Sequence, residues 1–285
     1  MKTILSRWDI KKVASSRAKR EGSSAPIKEE LDIYKKYLKL AIKGKKDPRV
    51  LVLGATPELR DMAIGLGCET LAIDISFNVI ESMYQTMKFR DDDKNLMMRC
   101  DWLKMVQFLP EHCFDAVLAD ASLNNIPVKL HPELLKNINK LLKPDGYFIT
   151  RNFIYLPEKP QENFSYFQKQ YNQKKTTWLM FWFALGYYTK WKKKIYNEKT
   201  KEWSVKKMFD LFNPALEKGE IKLRKEDVWK IHNIEKHGGK IIHITFFKKE
   251  FENMLKKYFA IKAIVEAPRW TYTEFMPIYI LKIKK

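Results

Sequence analysis

The sequence predicts a doubly wound α/β fold, in which helices cover both faces of a mostly parallel sheet. One reason is that short apolar runs alternate with longer segments that have the periodicity of helices. Another is that strands made almost wholly of apolar residues are typical of a parallel sheet that is buried on both faces. Five such runs precede residue 151, at residues 50–53, 70–73, 95–99, 114–119 and 147–150.

The helical segments around these runs carry start and stop residues. Pro26 opens the first one, at residues 26–42, with two glutamates in its first turn, and Gly44 follows its end. Residues 1–24 are basic and rich in serine, and we interpret them as an arm or short helix. Further helices are predicted at residues 59–66, 77–87 and 132–142.

The alternation breaks after the fifth strand. Residues 157–239 are aromatic, rich in lysine and mostly helical in pattern, and they are too long for a simple crossover. We interpret them as an inserted cap. The pattern then resumes with strands at 240–245, 260–265 and 276–283 and a helix at 248–258. The predicted parts are an N-terminal arm and helix that close the ligand site (1–48), a core (49–156), the insertion (157–239) and strands that complete the core sheet (240–285).

Residues 178–188 are the most apolar part of the insertion. Three interpretations stay open: a buried helix that packs the insertion onto the core, an aromatic wall over a substrate site, and a helix on a membrane surface, flanked by lysines. The run is too short to span a bilayer, and no stretch of about 20 apolar residues occurs. We expect no transmembrane segment.

The cysteine content favours a cytoplasmic location. Cys68, Cys100 and Cys113 are widely spaced and form no Cys-x-x-Cys pair. Such a sparse, odd set fits a reducing compartment and gives no metal-ligand pattern. We therefore expect a cytoplasmic protein without a bound metal.

The formal net charge of +20 raises the possibility of a nucleic-acid partner. Two observations weaken it. Only ten of the 54 basic residues are arginines, the side chains on which phosphate and base recognition usually depends. The lysines are also scattered, and their densest cluster lies within the insertion, at residues 190–207. A solvated basic surface explains the charge more simply.

Three predicted strand ends carry residues suited to a ligand, and the carboxyl ends of parallel strands meet at one edge of such a sheet. Gly54 follows the first strand and would let a ligand approach the backbone closely. Pro57 suits the first turn of the next helix. Asp74 ends the second strand, where a carboxylate can accept hydrogen bonds from two ribose hydroxyls. Asp101 and Trp102 follow the third strand and offer an acceptor beside a flat apolar ring.

With these residues in place, the chain resembles the class I, Rossmann-like methyltransferases that use S-adenosylmethionine (SAM). The resemblance covers roughly residues 49–150 and the closing strands at 240–285. Its most discriminating part is residues 141–148, Leu-Leu-Lys-Pro-Asp-Gly-Tyr-Phe, similar to the family's turn before the fifth strand. The family fold implies seven strands, with the last one antiparallel.

The resemblance also implies a role for each matching position. Gly54 and the backbone of Ala55 and Thr56 would pass under the methionine part of SAM, with Glu58 close by. Asp120, at the end of the fourth strand, would face the methyl group and is the candidate catalytic residue. The ribose and adenine would be contacted by Asp74, Ile75, Asp101 and Trp102.

The glycine-rich loop departs from the family's common Gly-x-Gly-x-Gly pattern. It has Gly54 but lacks the second and third glycines, and it resembles a branch with Gly-x-Thr-Pro-Glu-Leu. The pyrophosphate of NAD needs the second glycine and a free helix N-terminus, and Glu58 would repel it. SAM has no phosphate and carries a sulfonium and an ammonium cation, so it fits an acidic turn better.

Methyl transfer from a sulfonium requires mainly positioning and desolvation, so no base is obligatory. Among the histidines that could act as a base, His131, at a predicted helix start, is more often structural. His243 alternates in a predicted strand and should face solvent. In the N-terminal arm, Trp8 is an isolated aromatic residue that would close the site. Candidate substrate contacts are Trp8, Arg151 and Tyr155.

We therefore expect a SAM-dependent methyltransferase that acts on an oxygen or nitrogen nucleophile of a small molecule. The insertion favours an enclosed pocket for such an acceptor. The alternatives are an RNA- or protein-directed methyltransferase, a catalytically silent SAM-binding protein and, least favoured by the loop, a nicotinamide oxidoreductase. The segment after the fourth strand, Ala-Asp-Ala-Ser, lacks the Asp/Asn-Pro-Pro-Tyr pattern associated with methylation of base amino groups.

Overall fold

A computed structural model describes residues 25–156, 162–228, 231, 235, 242–267 and 273–284. A mixed sheet of seven strands forms its centre, in the order β11-β12-β5-β4-β1-β2-β3. Neighbouring strands are parallel except that β12 runs antiparallel to both β5 and β11. The predicted fold class is confirmed. The core strands are β1 Arg49–Leu53, β2 Glu69–Asp74, β3 Asn95–Arg99, β4 Phe114–Asp120, β5 Leu142–Arg151, β11 Phe259–Val265 and β12 Ile278–Ile283.

Helices cover both faces of this sheet. On one face lie α1 and α2, whose apolar side chains pack against β1, β4, β5 and β12, for example Tyr34 and Leu59 with Val50. On the other face lie α4, α9 and the insertion, around Phe148 and Leu51. The core helices are α1 Lys28–Ala41, α2 Pro57–Ile64, α3 Phe77–Tyr84, α4 His131–Leu141 and α9 Lys248–Lys256.

Strand β5 begins five residues earlier than the apolar pattern predicts. Leu142 already pairs with Phe114, and the register then shifts before Ala116 pairs with Tyr147. Gly146 lies in this irregular stretch, where a Cβ atom would come within 2.9 Å of the Lys143 carbonyl oxygen. The Lys-Pro-Asp-Gly turn is therefore packed against the start of β4.

Among the described residues, the insertion contains helices α5 to α8 and strands β7 and β8. Two small sheets, separate from the core sheet, involve these two strands and residues 154–155 and 242–247. Strand β9 Ile242–Ile244 pairs with β8, and β10 Phe246–Phe247 pairs with β6. Of the described C-terminal strands, only β11 and β12 belong to the core sheet. Residues 240–245 were predicted to form a core strand as well, but β9 lies in a separate sheet. The remaining elements are β6 Ile154–Tyr155, α5 Phe164–Asn172, α6 Trp178–Tyr188, α7 Lys192–Ile195, β7 Tyr196–Asn197, β8 Glu202–Ser204 and α8 Val205–Glu217.

Helix α6 is buried all round: all eleven of its residues are buried, and none of those with a side chain is more than 6% exposed. Of the three interpretations of residues 178–188, this geometry supports the helix that packs the insertion onto the core. Phe183, for example, packs against Phe153, just beyond the end of β5, with ring centroids 4.9 Å apart and the ring planes tilted by 41°. Within the described ranges, no helix combines the length and apolar character needed to cross a bilayer.

Candidate active site

Gly54 lies directly after β1, at the carboxyl edge of the sheet. Its φ of +98° is one that side-chain-bearing residues rarely adopt. A Cβ atom built on Gly54 would lie 3.9 Å from Asp74 Oδ2 and 3.8 Å from Trp102 Cζ2. The structure thus brings these three predicted site residues together around a space that only a glycine leaves open.

Asp74 ends β2, with one carboxylate oxygen committed to the backbone. Its Oδ1 accepts a hydrogen bond of 2.9 Å from the amide of Ser76, whose own side chain caps α3 through Val79. This Asx-type turn fixes the carboxylate at the strand end. Oδ2 is the carboxylate oxygen that would lie 3.9 Å from a Cβ atom on Gly54. Ile75, the residue between Asp74 and Ser76, is half-buried.

Trp102 is held over the same strand end by its indole nitrogen. Nε1 donates a 2.7 Å hydrogen bond to the carbonyl oxygen of Ile73, which also accepts one of 2.8 Å from the amide of Gly54. Asp101 Oδ1 accepts a hydrogen bond from the amide of Leu103. One carbonyl of β2 therefore positions both the loop glycine and the flat ring.

The remaining loop residues lead into α2. Ala55 is buried against Val79 and Met83 of α3, and Thr56 occupies the position before the first helical residue, Pro57. Glu58 lies in the first turn of α2 and is half-buried. The predicted proline-initiated turn is present, and an acidic side chain stands at this helix N-terminus.

The turn after β4 is tied to the same loop. Ala121 has a φ of +53°, and Ser122 Oγ donates a 2.8 Å hydrogen bond to the carbonyl oxygen of Leu53. A non-glycine residue in this left-handed region is strained. The contact to Leu53, immediately before Gly54, joins the end of β4 to the end of β1.

Asp120 and Arg151 form a buried ion pair at the ends of β4 and β5. Arg151 Nε donates to Asp120 Oδ1 at 2.7 Å, and its Nη1 donates to Glu30 of α1. The side chains of Arg151, Asp120 and Glu30 are 1%, 2% and 7% exposed. Burial opposes the charge of Arg151, but the two carboxylates outweigh it and raise its pKa above the ordinary value. The guanidinium of Arg151 is therefore charged at neutral pH.

This geometry bears on two predicted roles. The guanidinium of Arg151 is bound to carboxylates inside the protein, which favours a structural role over a substrate contact. Asp120 lies at the predicted edge, but its carboxylate is engaged by Arg151. A catalytic role for Asp120 and a substrate role for Arg151 stay predictions.

Tyr155, the other predicted substrate contact, is enclosed by the insertion. Its ring is 4% exposed and lies under the ammonium group of Lys192, whose Nζ is 4.0 Å from the ring centroid. Tyr196 and Phe247 pack around it at centroid distances of 6.3 and 5.1 Å. Such a cation–π contact fastens the insertion to the strand β6. Trp8 lies outside the described residues.

Neither described candidate histidine is placed as a base. His131 is fully buried, and its Nε2 donates a 2.7 Å hydrogen bond to the Leu123 carbonyl. Burial lowers its pKa to about 4, so the ring is neutral. His243 was predicted to face solvent, yet it is half-buried among Phe153, Phe183 and Trp203, because β9 belongs to the insertion sheet.

Glu30 and Tyr34, two further partners of the site, were not predicted from the sequence. Tyr34 Oη donates to the Ala119 carbonyl at 2.6 Å and accepts from the Arg151 amide at 2.8 Å. Their spacing with Leu38, four residues apart in each case, places Glu30 on the buried face of α1. An acidic residue at the same helical spacing as the buried apolar residues was the sequence pattern that could have identified Glu30.

Residues 55–207, more than half of the chain, match a methyltransferase domain family. No curated protein matches the chain in sequence. Across the described ranges, no cluster of three or more His, Cys, Asp or Glu side chains is placed to hold a metal ion.

Solved structures share the fold at low sequence identity. The glycopeptide N-methyltransferase MtfA with SAM is similar at a TM-score of 0.52 and 12% identity, over 91% of this chain and 95% of that one. The Burkholderia thailandensis 1,6-didemethyltoxoflavin-N1-methyltransferase with S-adenosylhomocysteine gives 0.50 and 12%, over 90% and 78%. A Rhodobacter sphaeroides protein proposed to be a zinc-dependent alcohol dehydrogenase gives 0.58 and 14%, over 96% and 98%.

At such identities these likenesses describe the fold alone. The match to the methyltransferase family is independent of these structures. It covers the loop after β1, strands β2 to β5 and much of the insertion. With Gly54, Asp74 and Trp102 gathered at the carboxyl edge of a seven-stranded sheet whose β12 is antiparallel, the chain belongs to the methyltransferase domain family and is a SAM-dependent methyltransferase of class I.

Proposed function

We propose that this enzyme transfers the methyl group of SAM to an oxygen or nitrogen nucleophile of a small molecule. The observation that carries the proposal is the position of the insertion. Asn124, in the turn after β4, donates to the carbonyl oxygens of Phe153 and Ile244 at 2.9 and 2.5 Å. Strand β9, which carries Ile244, pairs with β8 of the insertion, and Phe183 of the insertion packs against Phe153 with ring centroids 4.9 Å apart. The insertion therefore packs beside the ends of β4 and β5, and a covered edge of this kind favours a small acceptor over a macromolecule.

The cofactor site fits SAM in chemical terms. The space that a Cβ on Gly54 would fill lies between a carboxylate and an aromatic ring, which suit a ribose and an adenine. In this proposal Asp74 holds the ribose hydroxyls, and Trp102, Asp101 and Ile75 contact the base. The remaining loop residues, Ala55, Thr56 and Glu58, pass beside the methionine part.

SAM, when bound, supplies a methyl group on a positively charged sulfur. The protein's contribution is then to align the acceptor and to exclude water. Asp120 stands at the end of β4 with its carboxylate fixed by Arg151. We infer that it acts by position and charge, because its Oδ1 already accepts a hydrogen bond from the guanidinium.

The parts of the chain take corresponding roles in this proposal. Residues 1–48 close the cofactor site, 49–156 bind SAM, and 157–239 cap the acceptor. The docking of α1 on Arg151 and Ala119 supports the first role, since it places the start of that helix at the carboxyl edge. Two similar structures support a small acceptor by analogy: one is of a glycopeptide N-methyltransferase, and the other holds bound 1,6-didemethyltoxoflavin.

Methyl-labelled SAM and a fractionated extract of the source cells test the acceptor class. We expect label in the small-molecule fraction with the wild-type enzyme and much less with Asp74→Asn, when SAM is present near the wild-type dissociation constant. Label that appears in RNA or protein instead would contradict the small-molecule proposal. Absence of transfer to every fraction, with SAM bound, would point to a catalytically silent protein.

A further inference from the structure

Helix α1 meets the sheet at the carboxyl edge. Glu30 and Tyr34 lie one turn apart on its buried face, and both contact the ends of core strands. Glu30 also accepts a hydrogen bond of 2.9 Å from the amide of Ile27, at the start of the helix. The contacts that dock α1 are thus polar and specific at this end.

Arg151 is the centre of these contacts. Its side chain donates to Glu30 and Asp120, its amide donates to Tyr34 Oη, and its carbonyl oxygen accepts from the amide of Ala121 at 2.9 Å. Two charged partners from two different elements share one planar guanidinium, an arrangement that a lysine cannot reproduce. Removing one partner of such a buried group leaves a charge without compensation.

The turn that Arg151 holds is strained. Ala121 has its positive φ between Asp120, which the guanidinium binds, and Ser122, which bonds to Leu53. An alanine stays in this conformation only where surrounding contacts impose it. Arg151 supplies two of them, both just before the strained φ dihedral: its side chain binds Asp120, and its carbonyl oxygen accepts from the amide of Ala121.

The strained turn continues to the cofactor loop. Ser122 Oγ bonds to the carbonyl oxygen of Leu53, and the next residue is Gly54. A contiguous set of contacts therefore runs from Glu30 through Arg151 and the turn to the loop. A continuous packed network of this kind can transmit a change at one end to the other.

We propose that Arg151 is a positioning residue which, by binding Glu30 and Asp120 together, makes the geometry of the cofactor loop depend on the docking of α1. The inference rests on the proposed function, since it assumes that SAM binds beside Gly54. Loosening the contact of α1 should then weaken cofactor binding, although α1 itself makes none of the contacts assigned to SAM.

Two variants of α1 test this link, each of them measured for S-adenosylhomocysteine affinity by calorimetry and for amide hydrogen exchange. Glu30→Gln removes the charge, and Tyr34→Phe removes two hydrogen bonds while it keeps the ring, so it preserves folding better. We expect faster exchange at residues 119–123 and an affinity about fivefold to tenfold weaker in both variants, the range of typical coupling between sites.

Asp227→Asn provides the matched control. Asp227 is a buried carboxylate bound by Arg224 and Tyr171 within the insertion, at 2.7 and 2.6 Å. It should lose stability without a change in affinity or in exchange at 119–123. Unchanged affinity in both α1 variants, or an equal loss of affinity in the control, would overturn the inference. Failure of wild-type protein to bind the ligand would instead remove the proposed function, and the exchange data would still report on the turn.

Discussion

The indole N–H of Trp102 donates a 2.7 Å hydrogen bond to the carbonyl oxygen of Ile73, the residue before Asp74. The same oxygen accepts the amide of Gly54. The ends of three strands are thereby joined at one atom, which sets the distance between the ring and the carboxylate. The cofactor site depends on this arrangement as much as on the residues that would touch SAM.

Trp102→Phe tests the contribution of the indole hydrogen bond separately from that of the aromatic ring. The phenyl ring keeps a flat apolar surface but cannot donate to Ile73, so the ring should lose its fixed orientation. We expect affinity for S-adenosylhomocysteine to fall about threefold to tenfold, corresponding to a net hydrogen bond of about 1 kcal/mol. Calorimetric titration measures this affinity. Trp182→Phe is the control, because Trp182 Nε1 has no partner within the described structure; equal losses in the two variants would refute the role of the bond.

Gly54→Ala fills the space between Asp74 and Trp102. The added methyl group would occupy the cofactor's place, and φ +98° would strain the alanine by about 1 kcal/mol or more. We expect lower stability and at least about a tenfold loss of affinity for S-adenosylhomocysteine. Gly67→Ala has a similar φ of +85° but open surroundings. It should lose stability alone, and unimpaired binding by Gly54→Ala would show that the ligand lies elsewhere.

His131 should make the fold sensitive to acid. Its pKa is about 4 in the folded protein and about 6.5 when unfolded, so between these values the unfolded chain binds more protons. Stability should therefore fall as the pH drops from about 6.5 to about 4, by about 2 kcal/mol between pH 8 and pH 5. Urea unfolding of wild type and His131→Gln at the two pH values measures the difference. If both proteins lose the same stability, His131 is not its source.

Much of the core could be predicted from the sequence because its strands are buried on both faces. Runs such as residues 95–99 matched the observed strand, and Gly54 and Asp74 lie together as their positions after β1 and β2 required. The placement of β9 could not be predicted in this way. Its alternation of apolar and polar residues fits any half-buried strand. Its pairing with β8 depends on tertiary packing, which no local pattern specifies.

The ion network was also beyond a local prediction. Arg151 was predicted as a possible substrate contact, but its partners Glu30 and Asp120 are 121 and 31 positions away in the chain. A charge at the edge of a sheet can face a ligand or another charge, and spacing alone does not distinguish the two. The buried helical face that carries Glu30 was the one local indication.

Asp74→Asn tests the central claim, that the carboxylate beside Gly54 holds the ribose of SAM. The amide keeps an oxygen for the Ser76 N–H and loses the charge, so the fold should persist. Asp92→Asn is a matched control, because Asp92 accepts the amide two residues ahead at the same 2.9 Å in an exposed turn.

The measurement is calorimetric titration of S-adenosylhomocysteine into the three proteins. We predict a micromolar dissociation constant for wild type and Asp92→Asn, and a value about tenfold to a hundredfold higher for Asp74→Asn, as expected for a lost charge-assisted hydrogen bond. No binding to wild type, or equal affinity in Asp74→Asn, would contradict the account.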